Sequence, residues 1–138
     1  ADHRLPPEPT FTIHPRCRHV ITENERVLAG VAALRAGEVD AFGRLMNAAH
    51  ASMSDDYESS CPEVDALAGD ARQQKGVLGA RITGAGWGGG VVALVRADTD
   101  PAWQTRVQAA YQERTGLECQ IIVCEPGDAA GEAAFAPG

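Results

Sequence analysis

The chain has 138 residues, 44% of them hydrophobic and 22% charged, a globular composition rather than a disordered one, at a length that fits one domain and is too short for two ordinary ones. Nineteen acidic against twelve basic side chains leave a formal charge of −7. That balance argues against nucleic acid or an anionic membrane as partner, because phosphate-backbone binding needs a net basic face, and with aromatics at 5% there is no stacking platform for single strands.

Several chemistries drop out next. Lys75 is the sole lysine and sits in Gln74-Lys75-Gly76, outside any G-x-x-x-x-G-K-[ST] pattern, so a Walker-type phosphate loop is excluded and Schiff-base chemistry has little to rest on. No apolar run approaches the length of a membrane-spanning helix. The opening Ala1-Asp2-His3-Arg4-Leu5-Pro6-Pro7 has no apolar h-region. Cys17, Cys61, Cys119 and Cys124 are scattered without a C-x-x-C pair and read as free thiols of a reducing cytosol, not a disulfide framework or a metal site. The chain begins with Ala1, and its first methionine, Met46, lies inside a helical pattern; it reads as a piece of a longer cytoplasmic protein.

In chain order, residues 1–16 are punctuated by Pro6, Pro7, Pro9 and Pro15, with Thr10 to Ile13 as a short edge strand. From Arg18 to Arg35, Val20, Val27, Leu28, Val31 and Leu34 follow helical spacing, so they are expected to face the core; Gly37 supplies the stop. A second helix, Glu38 to Met53, aligns Phe42, Leu45, Met46, Ala49 and Met53, and the short link predicts an antiparallel hairpin. Ser60 to Glu63 matches a capping box ahead of a third helix carrying Val64, Leu67, Ala68 and Ala71 inward up to Gly76. Val77–Thr83 and Val91–Val95 then read as strands. A fourth helix opens at Asp100-Pro101, carries Trp103, Val107, Ala110 and Tyr111 on one face and stops at Gly116; Glu118 to Cys124 reads as a last strand. The order predicts an α+β fold, an antiparallel sheet with helices packed on one face.

Five glycines in the seven positions 84–90 exceed what a simple hairpin turn needs. Such a loop can turn successive backbone N–H groups into one concavity that binds an anion such as phosphate, glycine supplying positive φ and close approach. The plainer alternative is a turn that only lets elements pack closely. His50, beside the apolar stripe of its helix, reads as a packed or hydrogen-bonded histidine, since no Cys or Ser is placed as its nucleophile. Asp55 and Asp56 read as a solvated turn in preference to a metal pair. Arg81 fits a phosphate partner or a helix ion pair equally. Trp87 reads as an apolar plug that fixes the loop, in preference to part of a ligand wall.

The stretch Gly79-Ala80-Arg81-Ile82-Thr83-Gly84-Ala85-Gly86-Trp87-Gly88-Gly89 resembles the third conserved motif of the GHMP kinase superfamily. Similarity runs from about Arg16 to Asp128, through Thr22-Glu23-Asn24-Glu25-Arg26 and Ala41-Phe42-Gly43-Arg44-Leu45-Met46. Asp55-Asp56-Tyr57-Glu58 followed by Ser60-Cys61-Pro62-Glu63 narrows it to the galactokinase family. The chain departs from that pattern at Trp87, usually Phe, at Gly90, often Cys, at Ser59, usually apolar, and over residues 1–15.

The resemblance implies a GHMP kinase C-terminal, ferredoxin-like domain over residues 17–128, after an irregular segment over 1–16 and before a frayed tail over 129–138. It implies ATP-dependent phosphorylation of galactose at the anomeric hydroxyl, in a site between this domain and an N-terminal one that this chain does not match. On the resemblance, Thr83, Gly84, Ala85, Gly86, Gly88 and Gly89 line the phosphate side of that site; Arg81 and Trp87 beside them are candidates for supporting it. The catalytic base, the nucleotide loop and most Mg2+ ligands fall to the N-terminal domain, so the isolated chain is expected to be nearly inert. The alternatives are a non-catalytic sugar- or nucleotide-sensing module of the same fold and a sister kinase acting on another small alcohol.

Overall fold

A computed structural model describes residues 12–127. Four helices and two strands follow in the order α1 (Ile13–Arg35), α2 (Val39–Asp55), α3 (Pro62–Arg72), β1 (Val77–Ile82), β2 (Val91–Val95) and α4 (Trp103–Thr115). The strands pair antiparallel, Ile82 opposite Val91 and Ala80 opposite Ala93, with an irregularity between Val77 and Gly79. The α+β class holds. Helix α1 starts at Ile13, so that residue, expected in an edge strand, is helical; Thr10 and Phe11 lie outside the described residues, as does the tail from Asp128. Among the described residues no helix is long and apolar enough to cross a membrane.

One expected strand is missing. Residues 117–127 carry no regular structure. Ile121 packs against the core, but Leu117, Ile122 and Val123 are exposed. Alternation alone does not make a strand: the backbone needs a ladder partner. Among the described residues this segment is tethered by two side chains of α4: Gln108 Nε2 donates to the Cys119 carbonyl at 3.0 Å, and Thr115 Oγ1 accepts the Leu117 N–H at 3.1 Å.

The helical hairpin forms as expected. Gly37, in the left-handed region at φ 72°, follows the last turn of α1, and the start of α1 meets the end of α2 through Arg18 and Asp56. The face that α1 buries is the surprise. His19, Gly30 and Ala33 point inward, with Phe42 of α2 resting on Gly30. Val20, Val27, Leu28, Val31 and Leu34, expected in the core, are exposed. The periodicity located the helix correctly but not the side that packs, because small residues let α2 approach more closely than a row of branched side chains would.

The core sits where α3 and α4 meet the sheet: Ala68, Ala71, Ala80, Trp103 and Val107, with Leu67, Val91, Ala93 and Val95 against them. Met53, Val64 and Ile82 form a second cluster beneath the glycine loop. Within the first, Arg114 Nη2 of α4 reaches the fully buried carboxylate of Asp70 on α3 at 2.6 Å. Helix α3 begins with Pro62 as expected, but its N-cap is Cys61, with no side-chain cap bond. Ser60, expected to cap it, instead donates to Asp65 Oδ1 at 2.5 Å.

Helix α2 lies directly on the backbone of β1. A Cβ on Gly43 would stand 2.4 Å from the Leu78 carbonyl oxygen, and one on Gly79 2.2 Å from that of Gly43. Side chains from the helices then close the outer edge of β1. Asn47 Oδ1 accepts the Ala80 N–H at 2.9 Å, His50 Nδ1 accepts the Ile82 N–H at 3.0 Å, and Arg72 donates to the Ala80 carbonyl at 2.7 Å. His50 Nε2 faces Asp65 at 3.2 Å, so the bonding pattern assigns the proton of a neutral ring to Nε2. Burial, with Arg72 adding to it, holds the His50 pKa below its ordinary 6.5, against the opposing pull of Asp65.

Two measurements test this packing. Gly43→Ala should cost about 3 kcal/mol, since rigid backbone faces the new methyl, and lower Tm by about 10 °C. Gly69→Ala, with nothing within 4 Å of its added Cβ, should gain up to about 1 kcal/mol from helix propensity. Urea unfolding against pH tests His50. The unfolded histidine takes up its proton near pH 6.5 and the folded one only lower, so its contribution is full above about 6.5 and is lost as pH falls through that value to the folded pKa. The urea midpoint should therefore drop between pH 7.5 and 5.5. His50→Asn, which keeps an acceptor for Ile82 and removes the titration, should flatten that drop.

Candidate functional site

The glycine loop joins β1 to β2 across the rim of the sheet. Thr83 N–H donates to the Gly90 carbonyl at 3.0 Å, extending the ladder by one pair. Beyond that bond the chain leaves hairpin geometry. Gly84, Gly86, Gly88 and Gly89 all take positive φ, as does Trp87 at 56°, a conformation that disfavours side chains and explains the glycine density.

One loop amide turns inward. Trp87 N–H donates to the Ser59 carbonyl at 2.6 Å, and a Cβ on Gly86 would stand 2.2 Å from the same oxygen. The amides of Gly84, Ala85, Gly86, Gly88 and Gly89 have no partner among the described residues. Thr83, Gly84, Ala85 and Gly89 are exposed, with Gly86 and Gly88 half-buried. The loop is thus pinned at its middle, and its other five amides form no hydrogen bond among the described residues.

The two flanking residues separate. Trp87 is 67% exposed and is not the plug expected from its apolar bulk; its backbone, not its indole, fixes the loop. Arg81 points back to α1, with Nη1 3.0 Å from Glu23 Oε1. Burial pushes the Glu23 carboxyl up, but Arg26 and Arg81 outweigh it and hold the pKa below its ordinary value. Of the two readings open for Arg81, the ion pair is the one formed.

Ser59 has no exposed surface. Its position follows from a clamp that composition gave no hint of. Arg16 Nη1 donates to the Asp56 carbonyl at 2.6 Å, its Nη2 pairs with Glu58, and its guanidinium stands 5.7 Å from the Tyr57 ring centroid. Arg18 holds the Asp56 carboxylate, keeping its pKa below the ordinary value, and His19 lies 4.7 Å from Tyr57 while its Nδ1 meets Ser52 Oγ at 2.9 Å. Glu58 then turns through the left-handed region at φ 54°, delivering Ser59 to the loop. The sequence signal for this clamp was the Arg16-x-Arg18-His19 cluster facing Asp55-Asp56-Tyr57-Glu58. Asp56 is taken up by Arg18 and Ser52, and among the described residues no three His, Cys, Asp or Glu side chains converge on one point. His50 is bonded on both ring nitrogens and away from the loop's free amides. The four cysteines carry free thiols.

The family model for GHMP kinases C terminal matches residues 31–113. A galactokinase of Roseiflexus sp. (strain RS-1) is 44% identical over 129 residues, covering 94% of this chain and 32% of the relative. A galactokinase of Exiguobacterium sibiricum is 45% identical over 117 residues, 85% of this chain and 30% of its own. The crystal structure of Lactococcus lactis galactokinase complexed with galactose superposes with a TM-score of 0.75 at 44% identity, covering 80% of this chain and 29% of that one. The L. major mevalonate kinase structure in complex with R-mevalonate, at 20% identity and TM-score 0.50 over 78% of this chain and 35% of its own, shares the fold. The chain spans about a third of the length of the curated relatives it matches. With α2, α3, the glycine loop, both strands and most of α4 inside the matched range, this chain belongs to the GHMP kinase C-terminal family.

Proposed function

We propose that this chain is the C-terminal part of a galactokinase-type enzyme and forms the phosphate-side wall of a site completed by an N-terminal domain. The observation that carries the reading is the run of amides at Gly84, Ala85, Gly86, Gly88 and Gly89 without a partner among the described residues, on a loop pinned through Trp87 N–H. The 44% identity to galactokinases supports the substrate, galactose. In this reading the anomeric hydroxyl oxygen of the sugar forms the new bond to the γ-phosphorus, ADP leaves, and the hydroxyl proton passes to a base outside this chain.

ATP supplies the phosphoryl group, with Mg2+ to offset its charge. The open backbone donors of the loop suit the first, and this reading leaves the Mg2+ ligands mostly to the N-terminal domain; among the described residues no three His, Cys, Asp or Glu side chains converge. What this domain contributes is placement and hydrogen bonding to phosphate oxygens, which is most of what phosphoryl transfer asks of a protein. It cannot orient the nucleophile, and positioning accounts for up to about 7–11 kcal/mol of such a barrier. The isolated chain is therefore nearly inert.

The test uses a chimera joining the N-terminal two-thirds of the Roseiflexus galactokinase to this chain, assayed for ADP release with galactose. The chimera should turn over and the 138-residue chain alone should not. Robust turnover by the isolated chain, or tight ATP binding by it without turnover, would sink the reading, the second outcome favouring a sensing module. Within the chimera, Gly88→Val should cut kcat by about a hundredfold or more, the scale of losing one oxyanion donor. Nothing lies within 4 Å of the added Cβ, so the folding cost is confined to the strain of a β-branched residue at φ 141°, and the chimera should stay folded with a Tm lower by no more than about 10 °C. Lys75→Ala, at an exposed position, should change neither.

A further inference from the structure

Helix α1 carries a second face that this domain leaves bare. Ile13, Val20, Val27, Leu28, Val31 and Leu34 are between 42% and 73% exposed. At 100° per residue they fall on one side of the helix, away from buried His19, Gly30 and Ala33. Cys17, also exposed, lies on the same stripe, and between it and Leu34 only Asn24 interrupts the apolar row. No carboxylate enters it: Glu23 is held by Arg26 and Arg81, and Glu25 stands off it by spacing. A row of branched aliphatic side chains this long on a monomer's surface marks a contact surface.

We infer that this stripe is the docking face for the N-terminal two-thirds of the kinase, an inference that rests on the proposed function. Two observations choose that occupant. The matched family is the C-terminal part of GHMP kinases, and the chain covers about a third of its relatives, so on the proposed function the larger part of the enzyme leads into α1, the helix that carries the stripe. The area argues against a second copy: a 23-residue helix presents a strip about 35 Å by 10 Å, roughly 350 Å². That is well under the ~800 Å² per partner of a stable separate complex. A covalently joined partner needs less, since its effective concentration reaches the millimolar range.

Cysteine labelling tests this without reference to turnover. In the isolated chain a maleimide should modify Cys17 and Cys124, both exposed, at similar rates, independent of protein concentration. In the chimera Cys17 should react at least tenfold more slowly. Leu28→Glu, at a site 73% exposed, should leave the Tm of the isolated chain unchanged, and in the chimera it should return Cys17 to its isolated rate. Should the chimera fold poorly, hydroxyl-radical footprinting of the intact Roseiflexus enzyme reads the same face: its residues aligned with Val27, Leu28 and Val31 should be at least fivefold less oxidised than those three in the isolated chain. Cys17 as reactive in a folded chimera as in the isolated chain, equal oxidation of the aligned residues, or protection of Cys17 that grows with concentration of the isolated chain would each overturn the inference. An active chimera with a reactive Cys17 would refute the docking face and spare the activity; a protected Cys17 without turnover would do the reverse.

Discussion

Contact between two backbones governs this domain. Where Gly43 of α2 meets Gly79 of β1, neither position has room for a Cβ, and the helix therefore sits close enough for its other side chains to reach the strand's edge. Asn47 and His50 are three apart on α2 and meet the Ala80 and Ile82 amides, two apart on β1. A longer separation would leave both amides buried without an acceptor, at a cost of about 1–3 kcal/mol each. The same contact explains why β1 is an edge that needs no neighbour on that side: Arg72 takes the Ala80 carbonyl and the two acceptors take the amides. Side chains have replaced a strand.

His50 extends that network beyond the sheet. Its far nitrogen faces Asp65, which also accepts from Ser54 and Ser60. The end of α2, the turn after it and the first turn of α3 are thereby tied to the position of β1. From the opposite side the same turn is gripped by Arg16, Arg18 and His19. Ser59 lies between the two sets and presents its carbonyl to Trp87. The stretch that most narrowly resembles galactokinases, Asp55 to Glu63, thus leaves the other loop amides without a hydrogen bond; it fixes the one oxygen that pins the loop at Trp87 and crowds Gly86.

Much of this was legible in the residues, and the failures share a cause. Helix positions, the β1–β2 pair and the inward rows of α2, α3 and α4 follow from periodicity and from glycine and proline stops, all local signals. What escaped was anything that depends on a partner. Alternation from Glu118 to Cys124 describes a strand only where a ladder exists to receive it. Val20 to Leu34 looked like a core face because an apolar stripe states that something covers it, not what. Trp87 looked like a plug because bulk is a property of the side chain, whereas its left-handed φ and inward amide are properties of the backbone. Ser59 read as a departure from an apolar pattern, yet its buried place demands only a small side chain beside a carbonyl that must accept.

The loop and the bare stripe of α1 are connected by this geometry. Holding Trp87 to Ser59 is one backbone hydrogen bond, a net of about 1 kcal/mol, and it fixes a loop of glycines whose ordering costs about 1–2 kcal/mol per residue. That single bond cannot hold six residues in one conformation by itself. The turn carrying Ser59 is gripped by the first two turns of α1, and the stripe proposed to dock the rest of the enzyme runs along the other side of that same helix. A domain seated there would stiffen α1, through it the Arg16–Tyr57–Ser59 clamp, and so the amides proposed to meet phosphate.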